Sequence, residues 1–297
     1  MKKVVWFWAI AISFLMASCG SAGAAEPPKN NETGGATGGD IAVVSREVGS
    51  GTRSAFEELV GLSEEAPLTQ NAVVQNGNGT VATFVDTNPA AIGYVSFSTL
   101  QEKNSIRGIA VDGVEPTVEN VLNGEYALSR PFVLIYDQNA VSEADLAFIK
   151  YLESQDGLME LESHGAVVDM TQAEPFDMAA IDAKLSGDLK LGGSTSTETA
   201  IIAVAETFTA LFPNVNYTYD STGSGAGIKN AQDGTYSIGF SSREVEDSEL
   251  AGSVVAETFC KDGIAIVVKN ENELKEITKD QLLAIYTGEI KTWDGLK

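Results

Sequence analysis

The turn at residues 45–53 lies between an apolar run and a helical pattern. Residues 41–44 are all apolar, and Phe56, Leu59 and Val60 follow the turn at helical spacing. The turn itself contains serine, glycine, threonine and two arginines. A strand that passes through such a turn into a helix places free backbone N–H groups, hydroxyls and guanidinium groups at one point. This combination is the chemistry of a site for a small tetrahedral anion.

The same pattern occurs three more times, at residues 191–197, 220–227 and 238–244. One Ser/Gly turn is weak evidence because turns favour these residues in any case. Four such turns at strand ends are more specific, because ligands of open α/β sheets bind outside the carboxyl ends of strands. Neither glycine-rich turn completes a G-x-G-x-x-G motif and no P-loop motif occurs, which disfavours nucleotide binding.

Strand-like and helical patterns alternate after residue 40, which predicts an α/β fold with largely parallel sheets. The predicted strands are residues 41–45, 91–96, 132–137, 215–221, 237–242 and 263–268. The predicted helices are residues 54–62, 81–87, 117–122, 142–154, 197–211, 227–233 and 279–286. Thr278 and Gln281 form a capping box for the last helix. Residues 175–190 carry the weakest pattern and are interpreted as a connector.

Charge and residue counts exclude several classes of function. The net charge is −23 and no basic patch is interleaved with aromatic residues, so nucleic acid is not an expected partner. His164 is the single histidine and follows a helical run, where it is interpreted as a cap or surface residue. Zinc sites built from His and Cys are excluded by count, and Cys260 is expected to be a buried free thiol. We predict no catalytic residue, metal or cofactor.

The N-terminal segment has the pattern of an export signal. Lys2 and Lys3 precede an apolar run over residues 4–15, and Met-Ala-Ser then leads to Cys19. Small residues before a cysteine resemble the bacterial lipobox, which predicts a lipoprotein signal peptide over residues 1–19 and acylation of Cys19. A plain signal peptide cut near Ala24 or Ala25 is the alternative. Residues 20–39 are predicted to be a flexible tether, which gives an extracytoplasmic protein anchored to the cell membrane by lipid.

Several segments together resemble the phosphate-binding lipoproteins of bacterial phosphate ABC transporters. They cover the chain from about residue 40 to its end, at residues 49–59, 91–96, 193–196, 241–244, 261–265 and 286–293. The resemblance implies an α/β type II periplasmic-binding-protein fold with two lobes and mixed, largely parallel sheets. It further implies a monomer that captures inorganic phosphate between the lobes and delivers it to an ABC permease. Carriers of another tetrahedral oxyanion (sulfate or molybdate) and a non-transporting phosphate sensor or surface protein are the alternatives, and an enzyme ranks last.

The order of these segments differs from the order in the family. The family's later half, with the Gly-Ser-Gly-Thr-Arg segment, comes first here, and the Gly-Ser-Thr-Ser segment follows it. This order is interpreted as a circular permutation, in which the new ends lie together and residues 166–192 bridge the family's usual ends. A truncated tandem duplication is the competing explanation. The family's lobe boundaries transfer to residues 40–130 with 262–297 for the first lobe and residues 131–261 for the second.

The resemblance also implies the residues that bind phosphate. From the first lobe these are Arg46, Ser50, Gly51, Thr52 and Arg53. From the second lobe these are Ser194, Thr195, Ser196, Ser224, Gly225 and Ser242. Asn78 and Gly79 match the family loosely, and Arg53 has an alternative partner in Glu57 one helical turn away.

Two positions depart from the family pattern. Some family members have an aspartate two residues after the first arginine, where it accepts the proton of hydrogen phosphate, and this chain has Val48 there. The second such aspartate is replaced by Ser242. Glu47 or a serine oxygen is then the expected acceptor, and selectivity over sulfate is the property that depends on it.

Overall fold

Strands and helices alternate along residues 39–296, the part of the chain that the computed structural model describes. The strands are β1 (Ala42–Arg46), β2 (Val73–Gln75), β3 (Ala91–Ser96), β4 (Ile106–Gly108), β5 (Ala110–Val111), β6 (Ser129–Asp137), β7 (Ser186–Gly193), β8 (Asn214–Ser221), β9 (Ile238–Ser241), β10 (Val254–Lys269) and β11 (Glu276–Ile277). The helices are α1 (Gly51–Val60), α2 (Asn78–Thr87), α3 (Phe97–Gln101), α4 (Val118–Leu122), α5 (Glu143–Glu153), α6 (Gln155–Ser163), α7 (Glu198–Leu211), α8 (Ser224–Gln232) and α9 (Lys279–Thr287). The predicted signal peptide, Cys19 and residues 20–38 of the tether lie outside the described residues.

Nine of the described strands form a mixed sheet, and β5 and β11 form a separate parallel pair. Within the described residues its order is β2-β1-β3-β10-β6-β9-β7-β8, and β4 pairs with the end of β10. β1 is parallel to β2 and β3, and β7 is parallel to β8 and β9. β10 is antiparallel to β3, β4 and β6, and β6 is antiparallel to β9. The α/β class with a mixed sheet is therefore confirmed, but this sheet is not largely parallel, because four of its strand pairings are parallel and four are antiparallel.

Two hydrophobic cores lie along this sheet. The first core draws on residues 43–128 and 264–293, with Phe56, Tyr94 and Tyr286 among its fully buried side chains, and it also takes in Val167. The second core draws on residues 132–168 and 185–260, with Phe148, Phe208 and Phe240 at its centre. β10 extends from one core to the other, because its first part pairs with β6 and its last part with β3 and β4.

Both faces of the sheet are covered. In β1, Val43 packs into the first core, whereas the next residue, Val44, packs on the opposite face with Val81 and Val85 of α2. In β6, Leu134 belongs to the second core, whereas Val133 and Ile135 contact Ile228 of α8. Because neighbouring residues on opposite faces of these strands are both buried, the strands are continuous apolar runs. Such runs predict these strands from the sequence.

The two ends of the described chain lie together. The Ile41 N–H donates to the carbonyl of Lys291 at 2.7 Å, and the Trp293 N–H donates to the carbonyl of Gly39 at 3.1 Å. Asp40 and Thr292 form an antiparallel bridge between these two bonds. The Trp293 side chain is buried in the first core, so this end-to-end contact includes apolar packing as well as hydrogen bonds.

Each predicted strand and helix occurs, with differences at particular residues. Residues 186–190, predicted to belong to a connector, are the start of β7, which has a weak pattern because its first three residues are not buried. The helix predicted at residues 142–154 ends near Ser154, which caps a separate helix, α6. The capping box of Thr278 and Gln281 is confirmed, as is the position of His164 at the end of α6. Cys260 is confirmed as a buried free thiol.

β10 is longer than the predicted strand at residues 263–268. Charged residues interrupt the apolar pattern of its first part. Two of them, Glu257 and Asp262, have a polar side-chain partner on the neighbouring β6. Among residues 39–296, no helix is long and apolar enough to cross a membrane.

Candidate functional site

The turn after β1 brings the start of α1 to the junction between the two cores. Gly49 has φ of +88°, which glycine adopts without strain, and Ser50 caps α1 by accepting a hydrogen bond from the Arg53 N–H at 3.2 Å. The first backbone N–H groups of a helix have no partner within it and carry partial positive charge. Gly51 and Thr52, at this helix start, are buried.

Three other helices begin at the same junction. α2 begins at Asn78 directly after Gly77, and α8 begins at Ser224 directly after Gly223, and both glycines have φ near +90°. α7 follows the segment that contains Ser194, Thr195 and Ser196. α1 packs in the first core, and α2 packs on the opposite face of the same strands. α7 packs in the second core, and α8 packs on the opposite face of its strands. Four helix starts therefore surround one group of buried polar side chains.

Polar side chains from the two sides contact each other directly. Thr52 Oγ1 lies 2.9 Å from Ser196 Oγ, and Asn78 Nδ2 donates to the same Ser196 oxygen at 2.9 Å. Arg46 Nη2 donates to Thr195 Oγ1 at 3.0 Å. We call Arg46, Thr52, Asn78, Thr195 and Ser196 the hydroxyl cluster. Only Thr195 of these five is not fully buried.

A second set of contacts lies beside the hydroxyl cluster. The Gly225 N–H donates to the carbonyl of Gly49 at 3.1 Å, and the Ser242 N–H donates to Ser224 Oγ at 3.0 Å. A methyl group at Gly51 would lie 2.1 Å from Ser224 Oγ and 2.7 Å from Ser242 Oγ. The turns after β1 and β8 thus approach so closely that only a glycine fits at position 51.

Arg46 is the most heavily hydrogen-bonded member of the cluster. Its Nε and Nη2 donate to the two carboxylate oxygens of Glu47, and Nη2 also donates to Thr195 Oγ1. Nη1 donates to Asn78 Oδ1 at 2.9 Å and to Thr52 Oγ1 at 3.3 Å. Burial alone raises the pKa of Glu47, but the hydrogen bonds and charge of Arg46 outweigh it and hold this pKa below its ordinary value. Glu47 is therefore ionised at neutral pH.

The predicted site residues fall into two groups. Arg46, Ser50, Gly51, Thr52, Ser194, Thr195, Ser196, Ser224, Gly225 and Ser242 all lie at the junction. Arg53 does not join them, because its Nε pairs with Glu57 at 2.7 Å and its Nη1 donates to the carbonyl of Arg46 at 3.1 Å. Asn78, whose match to the family pattern is loose, is a central member of the hydroxyl cluster. The Val48 side chain is 88% exposed.

A buried ion pair next to the cluster was not predicted from the sequence. Arg130 of β6 and Asp262 of β10 are register partners, and Arg130 Nη2 lies 2.6 Å from Asp262 Oδ2. Arg130 Nη2 also donates to Ser196 Oγ at 3.0 Å, while Asp262 accepts bonds from Ser96 Oγ and the Phe97 N–H. Burial raises the pKa of Asp262, and the charge and hydrogen bonds of Arg130 offset part of this rise. The signal for this pair was a charged residue directly before each of two apolar runs, residues 131–136 and residues 263–268.

An open cleft of about 630 Å³ leads to the hydroxyl cluster. Glu47, Asn78 and Thr195 line it, together with Thr222 and Glu198 of the second core's side. Arginine donors, hydroxyls and helix starts behind such a cleft are suited to hold a small tetrahedral oxyanion. His164 lies elsewhere, with its Nδ1 next to Ser163 and the carbonyl of Glu160, so it forms no pair with a serine of the cluster.

Known proteins are similar to this chain in sequence and in fold. A family model described as the PBP superfamily domain matches residues 28–156 and 178–296. The phosphate-binding protein PstS 2 of Streptococcus pneumoniae is 32% identical over 303 residues, covering 100% of this chain and 99% of that protein. The phosphate-binding protein PstS of Bacillus subtilis is 33% identical over 122 residues, which cover 40% of this chain and 41% of that protein.

A solved structure gives the same result. A phosphate-binding protein of a phosphate ABC transporter from Streptococcus pneumoniae superposes with a TM-score of 0.71 and 33% identity, covering 87% of this chain and 100% of that chain. Sequence identity over the full length and a shared fold agree with each other. The chain therefore belongs to the phosphate-binding protein family of the PBP superfamily.

Proposed function

We propose that this protein binds inorganic phosphate at the hydroxyl cluster and presents it to the permease of an ABC transporter. The observation that carries the proposal is the buried contact of Arg46 and Thr52 with Thr195 and Ser196 across the junction of the two cores. The relatives that match over the full chain are named as phosphate-binding proteins, and the matching solved structure belongs to a phosphate ABC transporter. A binding protein of this kind catalyses no reaction.

The proposed ligands are the predicted residues without Arg53. They are Arg46, Ser50, Gly51, Thr52, Ser194, Thr195, Ser196, Ser224, Gly225 and Ser242, to which we add Asn78. Arg53 instead holds the backbone carbonyl of Arg46 and is assigned a positioning role. Both oxygens of Glu47 already accept bonds from Arg46, so a serine or threonine oxygen is the proposed acceptor for the proton of hydrogen phosphate.

Calorimetric titration of the purified protein with phosphate tests the proposal. We expect saturable binding that is weakened in Arg46→Ala and unchanged in Ser248→Ala, a control at an exposed serine. Competition with sulfate and molybdate distinguishes phosphate from the other tetrahedral oxyanions. A folded protein that binds none of these anions would favour a surface or sensor role, and turnover of a chromogenic phosphate ester would indicate an enzyme.

We further propose that the two cores correspond to two lobes, residues 40–130 with 262–297 and residues 131–261. The change of core between Leu128 and Phe132, and again between Cys260 and Ile264, supports these boundaries. β6 and β10 are then the strands that cross between the lobes. Small-angle scattering with and without phosphate tests whether the lobes close on the ligand.

The order of the segments is proposed to reflect a circular permutation relative to family members that align with only part of this chain, whereas the Streptococcus pneumoniae PstS 2 protein aligns over its full length and so has the same order. The hydrogen-bonded contact of residues 39–41 with residues 291–293 supports it, since a permuted chain requires neighbouring ends. A relative with the two halves in reverse order would align over one half only, and the Bacillus subtilis protein aligns over 40% of this chain. Joining residue 297 to residue 40 by a short linker and opening the chain within residues 170–184 should give a folded protein that still binds phosphate.

Membrane attachment is proposed to occur through lipid on Cys19, with the folded part outside the cytoplasm as a monomer. The lipobox-like sequence before Cys19 supports it. Labelling of cells with a fatty-acid analogue should mark the wild-type protein and not Cys19→Ser. The mass of the mature N-terminus distinguishes this from cleavage near Ala24 or Ala25, and light scattering of the purified protein tests the monomer.

A further inference from the structure

We infer that Arg130 is a further ligand of the bound oxyanion, which donates from its Nη1 group beside Ser196. This inference rests on the proposed function and deepens it. The two buried arginines at the junction, Arg46 and Arg130, differ in how many of their N–H groups have a hydrogen-bond partner. A guanidinium has five N–H donors in a fixed plane, so each donor can be assigned a partner or shown to have none.

Arg46 has a partner for each of its five donors. Glu47, Thr195, Thr52 and Asn78 accept them. An oxyanion can bind Arg46 only by replacing one of these acceptors. Arg46 therefore supplies charge to the site, but each of its N–H donors already has an acceptor.

Arg130 has two donors without a partner. Its Nε and Nη2 are taken by Asp262 Oδ2 and Ser196 Oγ, whereas Nη1 is buried and has no hydrogen-bond partner among the described residues. Its side chain is 1% exposed, and leaving a buried donor unpaired is unfavourable. A partner that arrives with the ligand accounts for an arginine held in this way.

The planar shape of the guanidinium fixes the direction in which Nη1 donates. Nε and Nη2 form the edge that contacts Asp262, so the outer N–H of Nη2 that reaches Ser196 Oγ lies on the edge shared with Nη1. The N–H groups along that edge are nearly parallel. One Nη1 donor therefore points to the same side as Ser196, a member of the hydroxyl cluster.

The placement of the pair explains how Arg130 is kept rigid. Asp262 is fully buried, and it also accepts bonds from Ser96 Oγ at 2.9 Å and the Phe97 N–H at 3.1 Å on the first core's side. Phe132, which belongs to the second core, lies beneath the guanidinium with 5.7 Å between the Cζ atom and the ring centroid. Arg130 is thus fixed from both sides at the point where β6 crosses between the cores.

A double substitution separates ligand binding from structural support. In Arg130→Gln with Asp262→Asn, two neutral amides replace the ion pair, so neither charge is left buried without its partner, which is the strongly destabilising case. We expect a melting temperature close to wild type and a phosphate affinity lower by about 10- to 100-fold, as for loss of a hydrogen bond to a charged group. Asp262→Asn alone retains the arginine charge, and we expect it to bind phosphate at least as tightly as wild type.

The outcomes distinguish this inference from the proposed function. Wild-type affinity in a folded double variant would show that Arg130 only supports the structure and would overturn the inference, while phosphate binding itself would stand. A wild-type protein that binds no phosphate would overturn both. A crystal structure of the wild-type protein with phosphate is the second measurement and needs no variant to fold. We expect Nη1 within about 3.2 Å of a phosphate oxygen, and an Nη1 bound to water alone would contradict the inference.

Discussion

Thr52 Oγ1 lies 2.9 Å from Ser196 Oγ, although the two residues are 144 positions apart in the chain. Ser196 Oγ accepts bonds from Arg130 Nη2 and Asn78 Nδ2, which occupy both of its acceptor positions. Its own hydrogen must therefore be donated, and Thr52 Oγ1 is the oxygen within reach. Since Thr52 also accepts from Arg46 Nη1, its hydrogen in turn is free to be donated. The two arginines thus donate into a chain of hydroxyl groups, which polarises these hydroxyls and leaves the Thr52 hydrogen available to a ligand. We call this chain of hydrogen bonds the relay.

This relay predicts a specific effect of removing the Thr52 hydroxyl. Thr52→Val keeps the shape of the side chain but leaves Arg46 Nη1 and Ser196 with one acceptor fewer. We expect phosphate affinity to fall by about 10- to 100-fold, because hydrogen bonds to a charged acceptor contribute about 1.5–3 kcal/mol. Isothermal titration measures this, and Thr52→Ser is the matched control that retains the hydroxyl. Equal affinities for Thr52→Val and Thr52→Ser would contradict the relay.

Much of the fold could be predicted because its pattern is local. The run that became β1 alternates between two buried faces at Val43 and Val44, so it is apolar throughout and visible in the sequence. The turn after it contains the glycine and the serine cap that a tight strand-to-helix connection needs. β7 was not predicted because its first residues are exposed or half-buried and so form no apolar run. Parallel pairing with β8 holds them in the sheet.

The unpredicted parts of the site depend on contacts between distant segments. Arg130 and Asp262 are 132 positions apart, and neither belongs to a turn with a recognisable composition. Asn78 becomes central only because α2 and α7 begin at the same junction. Arg53 shows the converse, because the sequence predicts it as a ligand from its place in the turn, whereas its Nε has a local partner at i+4 and its Nη1 donates to the Arg46 carbonyl.

The two arginines of the turn after β1 should therefore differ in their effect on binding. Arg53→Ala removes a part-exposed ion pair and a bond to the Arg46 carbonyl, and we expect a loss of less than about 5-fold in phosphate affinity. Arg46→Ala removes the buried charge of the cluster, and we expect a loss of about 100-fold or more. Titration of both variants under the same ionic strength makes the comparison. If Arg53→Ala were the weaker binder, Arg53 would have to be returned to the set of ligands.

Position 51 should tolerate no side chain in the phosphate-bound protein. A methyl group there would overlap Ser224 Oγ and Ser242 Oγ, so Gly51→Ala forces the turns after β1 and β8 apart. Overpacking of this kind costs about 1–3 kcal/mol. When this cost falls on the phosphate-bound protein, it corresponds to a loss of roughly 5- to 150-fold in phosphate affinity.

Gly39→Ala is the matched control for Gly51→Ala, because Gly39 is exposed, does not line the cleft, and a methyl group there meets no atom within 4 Å. Titration with phosphate, together with the melting temperature without phosphate, separates weakened binding from weakened folding. A Gly51→Ala protein that binds phosphate as well as Gly39→Ala does would show that the turns need not approach so closely in the bound protein.

Tyr94 links the end of β1 to the aromatic centre of the first core. Its hydroxyl accepts a bond from the Arg46 N–H at 3.1 Å and lies 2.9 Å from Ser45 Oγ, and its ring stacks on Phe56 with 4.0 Å between centroids. Burial raises the pKa of Tyr94 to about 12, although the bonds from Ser45 and Arg46 work in the opposite direction. The folded protein therefore resists ionisation of this phenol.

The raised pKa of Tyr94 predicts how stability changes at alkaline pH. Because the pKa is higher in the folded than in the unfolded chain, where it is about 10, the stabilisation is complete below pH 10 and is lost as the pH rises through about 12. Over this interval the wild-type free energy of unfolding should decrease by on the order of 2–3 kcal/mol more than that of Tyr94→Phe. Urea unfolding at a series of pH values between 8 and 12 measures the difference. Parallel curves for the two proteins would show that the Tyr94 hydroxyl ionises as readily in the folded chain as in the unfolded one.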